Sequence, residues 1–128
     1  MAGIENGQGK YCEPQFAKPP WTKESPEWRK IDCELSSEHT ARWMVASMEM
    51  LNLQPLFASY SAGGSDAVRS DLILRILLIE IWRGRRRPSQ WFKDTLENVA
   101  LQWAGFGIRP SRSVWYSFRD RLGPLLDG

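Results

Sequence analysis

Apolar residues recur at helical spacing in several stretches of the chain, and no strand-like alternation follows residue 65. Ser36-Ser37, with Glu38 in the first turn, opens a predicted helix. Trp43, Met44, Met48 and Leu51 give it one apolar face, and it runs to about Leu51. Pro55 breaks the pattern, with Leu53, Leu56 and Phe57 around it, and the Ser/Gly run from Ser59 to Ser65 reads as a loop.

The strongest predicted helix is capped by Ser65 or Asp66 and reaches Trp82 or Arg83. Leu72, Ile73, Ile76, Leu77 and Ile79 leave it apolar nearly all round, which places it at the centre of the fold. Its β-branched residues would suit a buried strand too, but eleven residues from Leu72 to Trp82 exceed the usual length of one. Asp71 and Arg75 have the spacing of an i,i+4 ion pair, and Gly84 falls where a left-handed residue would end the helix.

Pro88-Ser89 then starts a helix that extends to about Trp103, with Trp91, Phe92, Leu96 and Val99 or Ala100 as its stripe. Gly105 and Gly107 stop it. The last helix runs from Arg112 to Leu122 behind Pro110-Ser111, and Gly123-Pro124 ends it. Val114, Phe118 and Leu122 form its apolar stripe, with Trp115 on the flank. Residues 1–34 show neither period and hold several glycines and prolines, so 1–35 reads as an extended or disordered arm. Phe16, Trp21 and Trp28 are placed to pin parts of that arm to the rest. The expected architecture is all-α: a small helical bundle over 36–128, a C-terminal helix-turn-helix-like pair, and the N-terminal arm.

Composition supports one core, with 42% apolar residues and seven tryptophans in 128 residues. Charge changes the picture more. The net charge is only +2, yet residues 1–82 carry eight Lys/Arg against eleven Asp/Glu, while residues 83–128 carry nine against four. Eight of those nine cations are arginine, the side chain suited to bidentate phosphate and guanine contacts. The asymmetry points to an anionic partner at the C-terminal end; an unevenly charged but merely solubilising surface is the plainer alternative.

Two features carry that expectation. Arg83-Gly84-Arg85-Arg86-Arg87 sets four guanidinium groups in five residues. Their mutual repulsion is relieved by an anion, and the helix dipole alone would justify one or two of them. In the second feature, Ser111 and Ser113 stand at a helix start, where hydroxyls and free backbone N–H groups favour phosphate. Arg112, Tyr116 and Arg119 project from the non-core side of that helix, where groove-reading residues belong. Arg83, Arg85, Arg86, Arg87, Ser89, Arg109, Ser111, Arg112, Ser113, Tyr116 and Arg119 are thus the candidate DNA contacts, expected to gather Arg85, Arg86, Arg87, Arg112 and Arg119 on one surface. A plain amphipathic helix with a charged solvent side accounts for the same pattern without function.

Catalysis finds little support. His39 is the only histidine and reads as a surface residue beside a helix cap; Gly63-Gly64-Ser65 lacks the lysine of a phosphate loop. No catalytic residue, metal or cofactor is expected. Cys12 and Cys33 form neither a CxxC pair nor a disulfide framework and are expected to be reduced. The N-terminus has no signal-peptide pattern, and Leu72–Trp82, interrupted by Arg75 and Glu80, is too short to span a bilayer. A cytoplasmic protein without a membrane partner is the expectation.

The ordered set of motifs resembles the N-terminal region of bacterial insertion-sequence transposases of the DDE class. It comprises Leu74-Arg75-Ile76-Leu77-Leu78, Gly84 through Ser89, Trp103 with Gly105 and Gly107, Pro110-Ser111-Arg112, and Phe118-Arg119-Asp120-Arg121-Leu122. The resemblance spans about residues 40–125. It implies a helical module that recognises the terminal inverted repeats of a mobile element in double-stranded DNA and helps pair transposase subunits. Strand transfer would belong to a separate ribonuclease-H-like domain after residue 128, so the module itself is not an enzyme. A helical protein–protein interaction or dimerisation module is the alternative, and a homodimer is compatible with either reading.

Overall fold

A computed structural model describes residues 17–58 and 69–127 of the chain. Its described residues contain helices and no strands: α1 (Pro26–Glu34), α2 (Thr40–Met48), α3 (Gln54–Ala58), α4 (Ser70–Trp82), α5 (Pro88–Glu97), α6 (Val99–Ala104) and α7 (Arg112–Asp127). The all-helical architecture read from the sequence is the one observed.

α4 is the centre of the bundle. Leu72, Ile73, Leu74, Ile76, Leu77 and Ile79 are all buried, and α2, α5 and α6 pack around the helix. From Ser70 to Glu80 no residue of it is exposed, because its neighbours supply the cover, while Ile81 and Trp82 at its end stand in water. The helix begins at Ser70, later than the expected cap at Ser65 or Asp66, both of which lie outside the described residues, as does the Ser59–Ser65 loop. The expected Asp71–Arg75 pair is replaced. Arg69 takes both oxygens of Asp71, at 3.1 and 2.7 Å. Arg75 lies over the Phe106 ring instead, 6.0 Å from its centroid.

The segment read as an arm contains α1. Pro26 stands in its first turn with Glu27 beside it, where a missing N–H costs nothing and a carboxylate meets the helix dipole. Trp28, Ile31 and Leu35, three and four residues apart, turn one side of α1 to the core. Trp28 donates its indole N–H to the Trp103 carbonyl at 2.9 Å and stacks on Trp103 and Phe106. Trp21 donates its backbone N–H to the Phe106 carbonyl at 3.0 Å. The two tryptophans therefore do pin this segment, while Phe16 lies outside the described residues. Gly107 makes the Trp21 contact feasible: its φ is +81°, and a Cβ there would stand 2.8 Å from the indole.

A polar clasp adds to the attachment. Asp32 on α1 accepts from Arg42 of α2 at 2.8 Å and from the Trp103 indole of α6 at 3.0 Å. The Arg42 hydrogen bond holds the Asp32 carboxyl below the usual carboxylate range.

α2 starts at Thr40, capped by His39, whose Nδ1 accepts from the Ala41 N–H at 3.0 Å. The lone histidine is thus the cap itself, and the Ser36-Ser37 opening forms a turn before it. Met48 is buried and Met44 half-buried, but Trp43 and Leu51 of the expected apolar face are exposed. Pro55 sits in the first turn of α3, a position proline tolerates, and so begins a short helix there. Cys33 is exposed and free; Cys12 lies outside the described residues. Among the described residues no helix is long and apolar enough to cross a membrane.

Candidate nucleic-acid interface

The C-terminal half departs from a simple helix-turn-helix pair in one respect. The helix expected to reach Trp103 without a break is divided at Asn98, which ends α5 and caps α6. The Asn98 carboxamide oxygen accepts from the N–H groups of Ala100 and Leu101 at 2.9 and 3.2 Å. An asparagine supplies its own hydrogen bonds to the backbone more readily than it continues a helix. The redirection leaves Leu96 and Val99 exposed while burying Ala100, Leu101 and Trp103.

α7 opens at Arg112 as expected, with Ser111 Oγ accepting from the Val114 N–H at 3.3 Å. It continues through Gly123-Pro124 to Asp127, beyond the expected end. An interior proline removes one N–H donor, and the turns on either side carry the helix past it. Trp115 and Phe118 are the buried anchors of α7, so Trp115 is central where the spacing put it on the flank. Its ring meets Trp91 of α5 edge to face, with centroids 5.5 Å apart. The α5–α7 contact is the most extensive between any two helices.

The basic turn is built on a helix-ending motif. Gly84 has φ +81°, its N–H bonds the Ile81 carbonyl, and the Arg85 N–H bonds the Glu80 carbonyl at 2.9 Å. The Gln90 carboxamide oxygen then accepts from the N–H groups of Arg86 and Arg87, fixing the entry to α5. Trp91 donates its indole N–H to the Arg85 carbonyl at 2.8 Å.

Beneath this turn lie two buried carboxylates that the sequence reading did not use. Glu80 is fully buried and Asp94 nearly so. Arg83 donates to Glu80 at 2.6 Å, and Arg85 donates to both oxygens of Asp94 at 2.8 and 3.3 Å. Burial, then the hydrogen bond and charge of Asp94, push the Glu80 carboxyl up to about 8. Asp94 goes the other way. Burial would raise it, but hydrogen bonds from Glu80 and Arg85 and the charges of Arg85 and Arg83 hold it below the usual range. Of the two carboxyls, Glu80 is the one that favours its proton, and Asp94 favours the negative charge that faces both arginines.

Arg83 and Arg85 thus serve the fold as well as the surface. Arg86 and Arg87 are exposed, and among the described residues no carboxylate pairs with either. The second basic group stands on α7. Arg112 lies 5.0 Å over the face of Phe92, and Arg119 5.1 Å over Tyr116 while pairing with Asp120 at 3.3 Å. Ser111 and Ser113 share a hydrogen bond of 3.0 Å between hydroxyls, so part of their capacity is spent locally. Ser89, Arg109, Ser111, Arg112, Ser113, Tyr116 and Arg119 are all exposed.

Between α5 and α7 lies an open depression of about 390 Å³, lined by Arg85, Ser89, Phe92, Lys93 and Arg112 among others. It unites Arg85, Ser89 and Arg112 of the expected set; Arg86, Arg87 and Arg119 are not in its lining. Phe92 and Lys93 were missed. Lys93 is four residues after Ser89 and so on the same side of α5, a spacing legible in sequence. Among the described residues no group of three His, Cys, Asp or Glu side chains could hold a metal ion. Comparison with models of known protein families, with curated proteins and with solved structures finds no match, so the surface is interpreted through its own geometry.

Proposed function

We propose that the chain is a duplex-DNA-binding helical module that contributes recognition and no chemistry of its own. The observation that carries this reading is the convergence of Arg85, Lys93 and Arg112 with Ser89 around one open depression between α5 and α7. A guanidinium placed over the Phe92 ring is partly ordered before any ligand arrives, so less entropy is lost when it takes a phosphate or a guanine edge. Arg109, Arg119, Ser113 and Tyr116 extend the polar surface along the start and outer side of α7, and Arg86 and Arg87 extend it at the start of α5.

The resemblance to the N-terminal region of DDE-class transposases gives the proposal its biological form: recognition of the ends of a mobile element in bacterial cytoplasm, with catalysis supplied by another domain. Fluorescence anisotropy with a labelled duplex at two salt concentrations tests the DNA contact. Affinity that falls steeply as salt rises is the expected result, because neutralised phosphates release counterions. Absence of any duplex binding at low salt refutes it.

A further inference from the structure

Among the described residues, the most exposed aromatic side chains are not in the lining of the depression. Trp43 on α2 and Trp82 at the end of α4 are each 64% exposed, yet they stand beside one another with centroids 6.5 Å apart and planes tilted by 56°. Ile81 next to them is also exposed. Tryptophan is normally among the more buried residues, so two adjoining indoles in water mark a surface that awaits a partner.

The surroundings indicate what kind of partner. Trp82 leads directly into the basic turn, and four residues of chain hold Arg86 within roughly 14 Å of it. Neither α2 nor the part of α4 after Asp71 presents an exposed carboxylate, since Glu80, the sole acid there, is buried. Arg86 and Arg87 are exposed without carboxylate partners among the described residues. Exposed aromatic faces a few residues along the chain from uncompensated arginines offer the combination that single-stranded nucleic acids use, with bases stacking and phosphates meeting the cations. A second copy of the chain fits less well, because a two-fold contact centred here would draw the two Arg86-Arg87 pairs toward each other.

We propose that Trp43 and Trp82 form a stacking platform for unpaired nucleobases, with Arg86 and Arg87 holding the adjoining phosphates. This inference rests on the DNA-binding reading and adds a second class of DNA structure to it: a frayed, tailed or distorted segment next to the bound duplex.

The test compares two labelled DNAs, a blunt duplex of about 20 base pairs and the same duplex with a tail of about eight thymidines, by anisotropy. The wild-type chain is expected to bind the tailed DNA about tenfold more tightly, which is the effect of one good base–aromatic stack. The W43A/W82A variant should keep the blunt-duplex affinity and lose the preference, and W43F/W82F should retain most of it. Thermal melting of each variant, followed by circular dichroism, accompanies the titrations. Equal wild-type affinity for the two DNAs overturns the proposal, as does a preference that survives in a folded W43A/W82A chain. Light scattering that shows a dimer dissolved by W43A/W82A, with no tail preference, assigns the pair to a second copy and also overturns it. Tail binding without blunt-duplex binding would leave the platform standing and remove the duplex reading. Absence of both removes the two together.

Discussion

Arg83 and Arg85 stand three residues and one residue from Arg86 in the chain, yet the two halves of this basic run do different work. The first two are drawn inward by Glu80 and Asp94, which lie under the turn. The last two point to solvent without an anionic partner among the described residues. A run of like charges in sequence is therefore not a uniform charge in space. Two of its members complete a buried ion cluster, and only the remainder is wholly available to a ligand. The same contrast separates α7 from the turn: Arg112 lies over an aromatic face, which leaves its charge uncompensated, whereas Arg85 is ordered by a carboxylate it shares with Arg83, which offsets only part of its charge.

The largest effect is expected where the cluster is broken. Asp94→Ala leaves Arg83 and Arg85 without their common anion and should cost about 1–3 kcal/mol in urea unfolding, less than a fully buried pair because both arginines reach solvent. Unchanged stability would break the distinction between the two halves of the run. A second experiment sharpens it from the other side. Arg86→Ala with Arg87→Ala should leave the unfolding midpoint within about 0.5 kcal/mol of wild type. The slope of log affinity for duplex against log salt should fall by about two, one unit per lost phosphate contact.

The Glu80 proton gives a pH signature. A carboxyl at 4.5 in the unfolded chain and about 8 in the folded one makes the native state bind the extra proton across that interval. Its contribution to stability is full below about 4.5 and is lost as pH rises through about 8. Glu80→Gln, which stays neutral, should flatten that decline, read from unfolding midpoints at pH 5 and pH 8.5. An unaltered slope would mean that Glu80 is ionised in the native state. The smallest change is expected from Arg112→Lys, which keeps the charge and gives up the guanidinium over the Phe92 ring. Its stability should drop by no more than about 1 kcal/mol, while duplex affinity falls through the loss of bidentate geometry.

Much of the helical framework was legible. Leu72 through Ile79 announced a central helix because no polar side remained, and Gly84 announced its end because only glycine enters the left-handed region without strain. Pro110-Ser111 announced the start of α7. The omissions are instructive. Ser25-Pro26-Glu27 is a helix opening, and Trp28, Ile31 and Leu35 share a side, but surrounding prolines and glycines masked that short period. Asn98 carried the signal for a break, yet an apolar stripe continuing to Trp103 outweighed it. Glu80 and Asp94 were fourteen residues apart and unremarkable until α4 and α5 packed together.

By itself, then, the sequence determined an all-helical chain, the position of its central helix, and a C-terminal half rich in arginine. Local propensity, capping and the spacing of apolar residues are properties of neighbouring positions and can be read along a line. Which arginines remain free, which tryptophans bury and which stand in water depend on distant elements meeting. Trp28 and Trp43 look alike in sequence; one is covered by α6 and the turn at Phe106, and the other is left beside Trp82 at the surface. Burial and charge compensation are decided by three-dimensional neighbours, so only the tertiary structure could separate the arginines that hold the fold from those that face a partner.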